Sequence, residues 1–137
     1  MKHFYSISIL AILCMLAACS GSTVTDLDKN FHNASQAVEE LYNNPPTNLN
    51  LLKESVKFKE NDKLSDYQKD EFFKQIQNKK LKVTAQKAKV KPDFTEVTCE
   101  MTLSNGSTKK KKFHLYKENN VWKTEIGFTE LKEVIYK

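Results

Sequence analysis

Arginine is absent from this chain: its 22 basic side chains other than histidine are all lysine. A lysine ammonium is a compact point charge and lacks the planar fork that grips phosphates and guanine edges with two parallel hydrogen bonds. Glycine is nearly as scarce. Gly21, Gly106 and Gly127 stand far apart, so no glycine-rich loop can cradle a phosphate, and nucleotides and nucleic acids are set aside as partners. Only three histidines occur, His3, His32 and His114, and neither of the last two has ligand spacing with Cys99, so no metal is expected. No Ser, His, Asp order and no nucleophile elbow is present. Long apolar runs are missing too. The longest, from Phe4 to Leu16, falls short of the roughly 20 residues that a spanning helix needs.

That short run follows Lys2 and is closed by the small residues Ala17 and Ala18, the pattern of a secretory leader. With the next residue it becomes more specific: Leu16-Ala17-Ala18-Cys19 resembles the lipobox of small bacterial lipoproteins. The resemblance implies cleavage before Cys19, a thioether-linked diacylglycerol on its sulfur and a further acyl chain, palmitate or similar, on the new N-terminus. Each buried methylene contributes roughly 0.8 kcal/mol, so two or three chains hold a protein on a bilayer. Ser20 after the cysteine, where aspartate is absent, fits sorting to the outer membrane of a diderm cell, on its periplasmic face. The expected organisation is a leader over 1–18, a tether over 19–24 and one domain over 25–137.

Processing at that point removes one lysine and no acid, which leaves 21 lysines against 17 acids, a formal +4. A domain of this size buries about two-thirds of its surface on folding, enough for a modest core. Cys14 leaves with the leader and Cys19 is acylated, so Cys99 has no partner for a disulfide and is expected as a buried thiol.

The lysines are clustered. Seven lie between Glu71 and Asp93 with no acid among them, including Lys79, Lys80 and Lys82, and a second run is Lys109, Lys110, Lys111 and Lys112. Such runs serve as a solvated strand face and as edge protection. The sharper expectation for these seven named residues is contact with an anionic surface, lipid or cell-wall polymer, at about 1 kcal/mol per lysine.

Hydrophobic spacing divides the domain into a helical first half and a β second half. Leu27, Phe31, Ala34, Val38, Leu41 and Tyr42 recur at helical intervals behind a cap at Thr25 or Asp26, and Asn43, Asn44, Pro45 and Pro46 end that helix. Leu49 to Lys53 forms a short second helix, and Val56 and Phe58 alternate as in a brief strand. Ser65 with Gln68 makes a capping box for a helix carrying Phe72, Phe73 and Ile76 to Asn78. From Leu81 the period is two. Leu81, Val83 and Ala85 share one side, Ala88 and Val90 have the opposite parity, and a bulge at Gln86 or Lys87 reconciles them. Val97, Cys99, Met101 and Leu103 face inward on the next strand, and Phe113 and Leu115 on the one after.

Asn119 and Asn120 suit a two-residue hairpin, because asparagine tolerates positive φ; this sets Leu115 against Thr124, Tyr116 against Lys123 and Lys117 against Trp122. A strict two-residue loop at Asn105-Gly106 would place Cys99 opposite Lys112. A slip by one, through a three-residue loop or a bulge, is predicted instead, pairing Cys99 with Phe113 and Glu100 with Lys112. Phe128 to Lys137 supplies a last helical turn or two.

This order, helices and a short strand followed by a four-stranded antiparallel meander with Val121-Trp122-Lys123 in its last strand, resembles the nuclear transport factor two-like fold. That is a cone-shaped α+β domain in which a curved sheet wraps the first helix. A cystatin-like arrangement is the alternative. The resemblance implies a cone that in enzymes holds a carboxylate base or a tyrosine donor, and fold alone does not confer that chemistry. The candidates are Tyr42 and Tyr67 on helices and Glu96, His114, Tyr116 and Glu125 on strands, the last four on the polar side of the sheet. The reading is a membrane-anchored accessory or binding module of the cell envelope with no cofactor, whose partner is an envelope protein or anionic polymer. The alternative is a small lyase or isomerase of the ketosteroid-isomerase type. A cone filled by Met101, Leu103, Phe113, Leu115 and Trp122 is expected.

Overall fold

The computed structural model describes residues 33–79 and 81–136. The leader, Cys19, the tether, the cap at Thr25 or Asp26, Leu27, Phe31, His32 and Lys80 lie outside the described residues.

Residues 33–43 form helix α1, which buries Ala34, Val38, Leu41 and Tyr42 on one stripe. It stops where Pro45 and Pro46 can supply no N–H. Asn48 accepts from the backbone N–H groups of Asn50 and Leu51 and so starts α2, Leu49–Glu54. The three-residue strand β1, Val56–Phe58, leads through a 3-10 turn over Glu60–Asp62 to α3, Asp66–Asn78. The Ser65 and Gln68 capping box opens α3 as the sequence predicts, and Phe72, Phe73 and Ile76 are its buried side. Four strands follow: β2 (Lys82–Val90), β3 (Thr95–Thr102), β4 (Thr108–Glu118) and β5 (Val121–Ile126). Helix α4, Phe128–Ile135, completes the chain.

The sheet has five strands in the order β1-β5-β4-β3-β2, so the four-stranded expectation is corrected by one. The brief strand seen in the sequence joins the meander parallel to β5, with Val56 beside Thr124 and Phe58 beside Ile126, and makes the sheet mixed. A parallel pair so far apart in sequence leaves no local pattern from which it can be read. The β2 bulge lies between Ala85 and Lys87 as expected. Asn119 and Asn120 both adopt positive φ, 51° and 63°, and the pairs Leu115–Thr124, Tyr116–Lys123 and Lys117–Trp122 follow the predicted register.

The β3–β4 hairpin departs from expectation. Cys99 faces Lys111, Glu100 faces Lys110 and Val97 faces Phe113, so the slip runs the other way from the pairing of Cys99 with Phe113. The loop is the three residues Ser104, Asn105 and Gly106, closed by Leu103 N–H to Ser107 O at 2.8 Å, with Gly106 at φ +84°. Glycine takes that left-handed conformation without the penalty a Cβ would bring. The parity of Lys109 and Lys111 is therefore inward, the same as that of Phe113 and Leu115.

The first half of the edge strand β2 is held by α1. Asn43 donates its amide to Val83 O at 2.8 Å and accepts from Val83 N–H at 2.6 Å, and Glu39, one turn earlier, accepts from Ala85 N–H at 2.8 Å. These side chains occupy backbone groups that would otherwise template another strand.

Candidate functional site

On the outer face of the sheet, alternation places Glu96 opposite His114 and Thr98 opposite Lys112 across β3 and β4. Glu125 on β5 completes the group. The His114 ring lies between two carboxylates, with Nδ1 at 3.5 Å from Glu125 Oε1 and Nε2 at 3.8 Å from Glu96 Oε2. The Tyr116 hydroxyl donates to Glu125 Oε2 at 3.3 Å, and Lys112 Nζ stands 3.6 Å from Glu96 Oε1. Phe94, from the turn before β3, stacks on His114 with ring centroids 4.3 Å apart and leans on Tyr116. Lys57 of β1 sits over the other aromatic neighbour, 4.6 Å from the Tyr116 ring, and pairs with Glu118. The Tyr116 phenol is raised from its ordinary range, first by burial and then by the Glu125 carboxylate. The hydrogen bond between Lys57 and Glu118 raises the ammonium and lowers the carboxyl.

All four strand candidates from the sequence are thus brought together, on the polar side where alternation put them. Two clefts flank the cluster, of about 310 and 140 Å³, and share Lys59 and Glu125. Chemically the group is a patch of three carboxylates, two lysines, an imidazole and a phenol. A general base needs one imidazole nitrogen free for its substrate while the other is oriented. Both nitrogens of His114 are turned to carboxylates.

The inner side carries a second polar group. Lys111 Nζ lies 2.8 Å from Glu133 Oε2 and 3.0 Å from Glu130 Oε1, and Lys109 pairs with the other Glu133 oxygen. The Glu133 side chain is 4% exposed and that of Lys111 9%. Burial pushes the Glu130 carboxyl up, but the Lys111 ammonium and the Gly127 N–H outweigh it and leave it below the usual carboxylate range. Around this group Val97, Cys99, Met101, Phe113 and Leu115 are all 0–1% exposed, and Trp122 is half-buried. Tyr42 is buried against Phe113; among the described residues its hydroxyl, Trp122 Nε1 and Thr124 Oγ1 have no hydrogen-bond partner.

The lysines singled out in the sequence divide. Lys79 donates to the carbonyls of Val134 and Ile135 at 2.8 and 3.0 Å and caps α4. Lys109 and Lys111 are held by Glu133. Lys82, Lys110 and Lys112 project from the outer face, where Lys87 and Lys112 flank Thr98 and Lys89 and His114 flank Glu96. Cys19 and Lys80 are outside the described residues, and Tyr67 is exposed on the first turn of α3. Sequence reasoning missed Glu39, Asn43, Phe94, Glu130 and Glu133. Glu130 and Glu133 share a helical stripe with Leu131 and Val134, and the matching parity of Lys109 and Lys111 is the signal that could have exposed them.

Burial, with the Glu39 carboxylate nearby, pushes the Cys99 thiol from its ordinary 9.0 up to about 12. The unfolded chain ionises this thiol first, so its contribution to stability is intact below pH 9.0 and shrinks as pH rises toward about 12. Thermal unfolding followed across that window is expected to shift to lower temperature. A thiol reagent at pH 8 is expected to modify Cys99 only as fast as the protein unfolds.

No family model matches the chain, and no curated protein matches it. Among solved structures, a nuclear transport factor two-like transpeptidase from Campylobacter jejuni is similar at 11% identity, covering 68% of this chain and 94% of that one with a TM-score of 0.37.

Proposed function

We propose that this chain is a lipid-anchored module of a bacterial cell envelope that acts by binding rather than by turning over a substrate. The anchoring half of the reading rests on Leu16-Ala17-Ala18-Cys19. In the proposal Cys19 carries the acyl chains and the domain works on the periplasmic face of an outer membrane. The element order, with a short strand laid parallel to the last strand of a meander, supports a cone of the nuclear transport factor two-like type.

The observation that carries the binding half is the filled interior. Met101, Phe113 and Leu115 occupy the centre of the sheet, and the inward carboxylate Glu133 is neutralised by Lys109 and Lys111. A lyase or isomerase would need a carboxylate or phenol aimed into a cavity. Tyr42, the inward phenol, lines neither of the clefts described above, and Tyr116 and Glu125, which do line them, stand on the outer face and not within the cone. Recognition then falls to the outer face, where Lys89 stands beside Glu96, Lys87 and Lys112 beside Thr98, Lys110 beside Glu100 and Lys82 beside Thr102, a row of lysines that suits an anionic envelope protein or polymer.

Cys19→Ala tests the anchor. In detergent-free fractionation of the producing cells, the wild-type chain is expected in the membrane pellet and the variant in the soluble fraction. Mass spectrometry of the wild type is expected to show an acylated N-terminal peptide beginning at Cys19. A variant that stays in the pellet, or an unmodified wild-type peptide, overturns the reading.

A further inference from the structure

The two edges of the sheet are treated differently. At β2, side chains from α1 bond the backbone of Val83 and Ala85, and lysines line the rest of the strand. At β1 no side chain of the described residues does the same. Thr124 N–H donates to Ser55 O at 2.9 Å and Lys59 N–H to Ile126 O at 2.9 Å, so the odd-numbered residues of this segment turn their backbone groups to β5. The N–H and C=O of Val56 and Phe58 therefore point away from the sheet, and no partner is recorded for them among the described residues.

These groups border a cleft of about 490 Å³ between the last turn of α2 and the first turns of α3. Val56, Phe58 and Phe73 give it an apolar floor. Its rim carries Asp66 and Asp70, one helical turn apart, and neither has an ion-pair partner among the described residues. Two lysines, Lys53 and Lys69, stand on the same rim. Lys69 lies 5.5 Å from the centroid of the Phe58 ring, and Lys53 stands in the last turn of α2, where the helix carbonyls favour a cation.

We propose that the open edge of β1 is a docking site for an extended polypeptide segment, which adds to the sheet as a sixth strand. The unpaired donor and acceptor pairs at Val56 and Phe58 are complementary to an extended backbone. The apolar floor accepts a side chain of the added strand that points to the helix side, and Asp66 and Asp70 select a basic residue beside it. The inference rests on the binding reading but not on Cys19. The Cys19→Ala chain is expected to bind in the same way, so failure of the anchor and failure of this site are separable.

The test uses the full chain, isotopically labelled in detergent micelles, and the capped pentapeptide Lys-Val-Thr-Val-Lys followed by amide NMR. Two further versions of the peptide are N-methylated at alternate residues, one on each strand edge. The parent peptide is expected to shift the amides of Val56 and Phe58 and slow their exchange. One methylated version is expected to bind at least about tenfold more weakly and the other to bind like the parent. Asp70→Lys is expected to weaken the parent peptide in the same assay. The proposal is overturned by absence of binding, by equal binding of both methylated versions, by shifts confined to the outer lysine face, or by self-association of the chain through β1 without peptide.

Discussion

Glu133→Ala is expected to lower the free energy of unfolding by about 3–5 kcal/mol, because it removes one partner of a buried ion group and leaves the others in place. The Glu133 carboxylate is 4% exposed and receives both Lys109 and Lys111. After truncation the Lys111 ammonium, whose side chain is largely buried, keeps only Glu130 as its carboxylate. The companion variant Lys109→Met, Lys111→Met, Glu133→Leu removes Glu133 together with both of its lysines, leaves the Glu130 carboxylate on the Gly127 N–H, and is expected to lose less than Glu133→Ala, since no desolvated ammonium stays behind. Urea unfolding of the two variants checks this. A Glu133→Ala loss below about 1 kcal/mol, or a triple variant no better than the single one, would show that these ions interact mainly through water.

Phe113→Ala is the second large effect, again about 3–5 kcal/mol, from lost transfer energy plus the cavity left behind. Phe113 is 1% exposed, stands across from Val97 and meets the Tyr42 ring at 5.4 Å between centroids. Tyr42→Phe supplies the contrast. Among the described residues the Tyr42 hydroxyl is buried without a partner, so deleting it orphans nothing there, and the change is expected to be neutral within about 1 kcal/mol or stabilising. Equal losses for both variants in the same denaturation assay would mean that the hydroxyl makes a contact the packing does not reveal.

Much of the fold was legible because its signals are local. The Ser65–Gln68 box, the parity change at Gln86 and the Asn119-Asn120 turn each act within a few residues, and the structure matches all three. The β3–β4 register was legible only to its parity. An Asn-Gly pair serves both two- and three-residue loops, and the choice was made by partners 22 and 24 residues further on, where Glu133 meets Lys111 and Lys109. A run of four lysines reads as surface in any local window. Lys111 is instead largely buried and Lys109 is tied to the same acid, because α4 brings acids to the same side.

The outer-face cluster was visible as alternation, since Glu96, His114, Tyr116 and Glu125 share one parity once the Asn119-Asn120 turn is set. Phe94 was not. It precedes the strand and reaches His114 only because the turn after Val90 folds back, with Lys91 N–H donating to Phe94 O. The parallel place of β1 beside β5 was hidden for the reason that hides most parallel pairs: its hydrogen bonds join segments nearly 70 residues apart, and three residues carry too little pattern to announce a neighbour.

The clasp of Glu39 and Asn43 on β2 joins residues 46 and 40 positions apart. Helix α1 and the margin of the sheet are consequently one cooperative unit: the strand gains its last backbone partners only when the helix arrives, and gives them up when it leaves. A fluctuation that lifts α1 therefore uncovers sticky backbone together with the apolar stripe of Val38 and Tyr42. On this side of the sheet, resistance to clumping under heat therefore depends on how firmly a single helix stays seated.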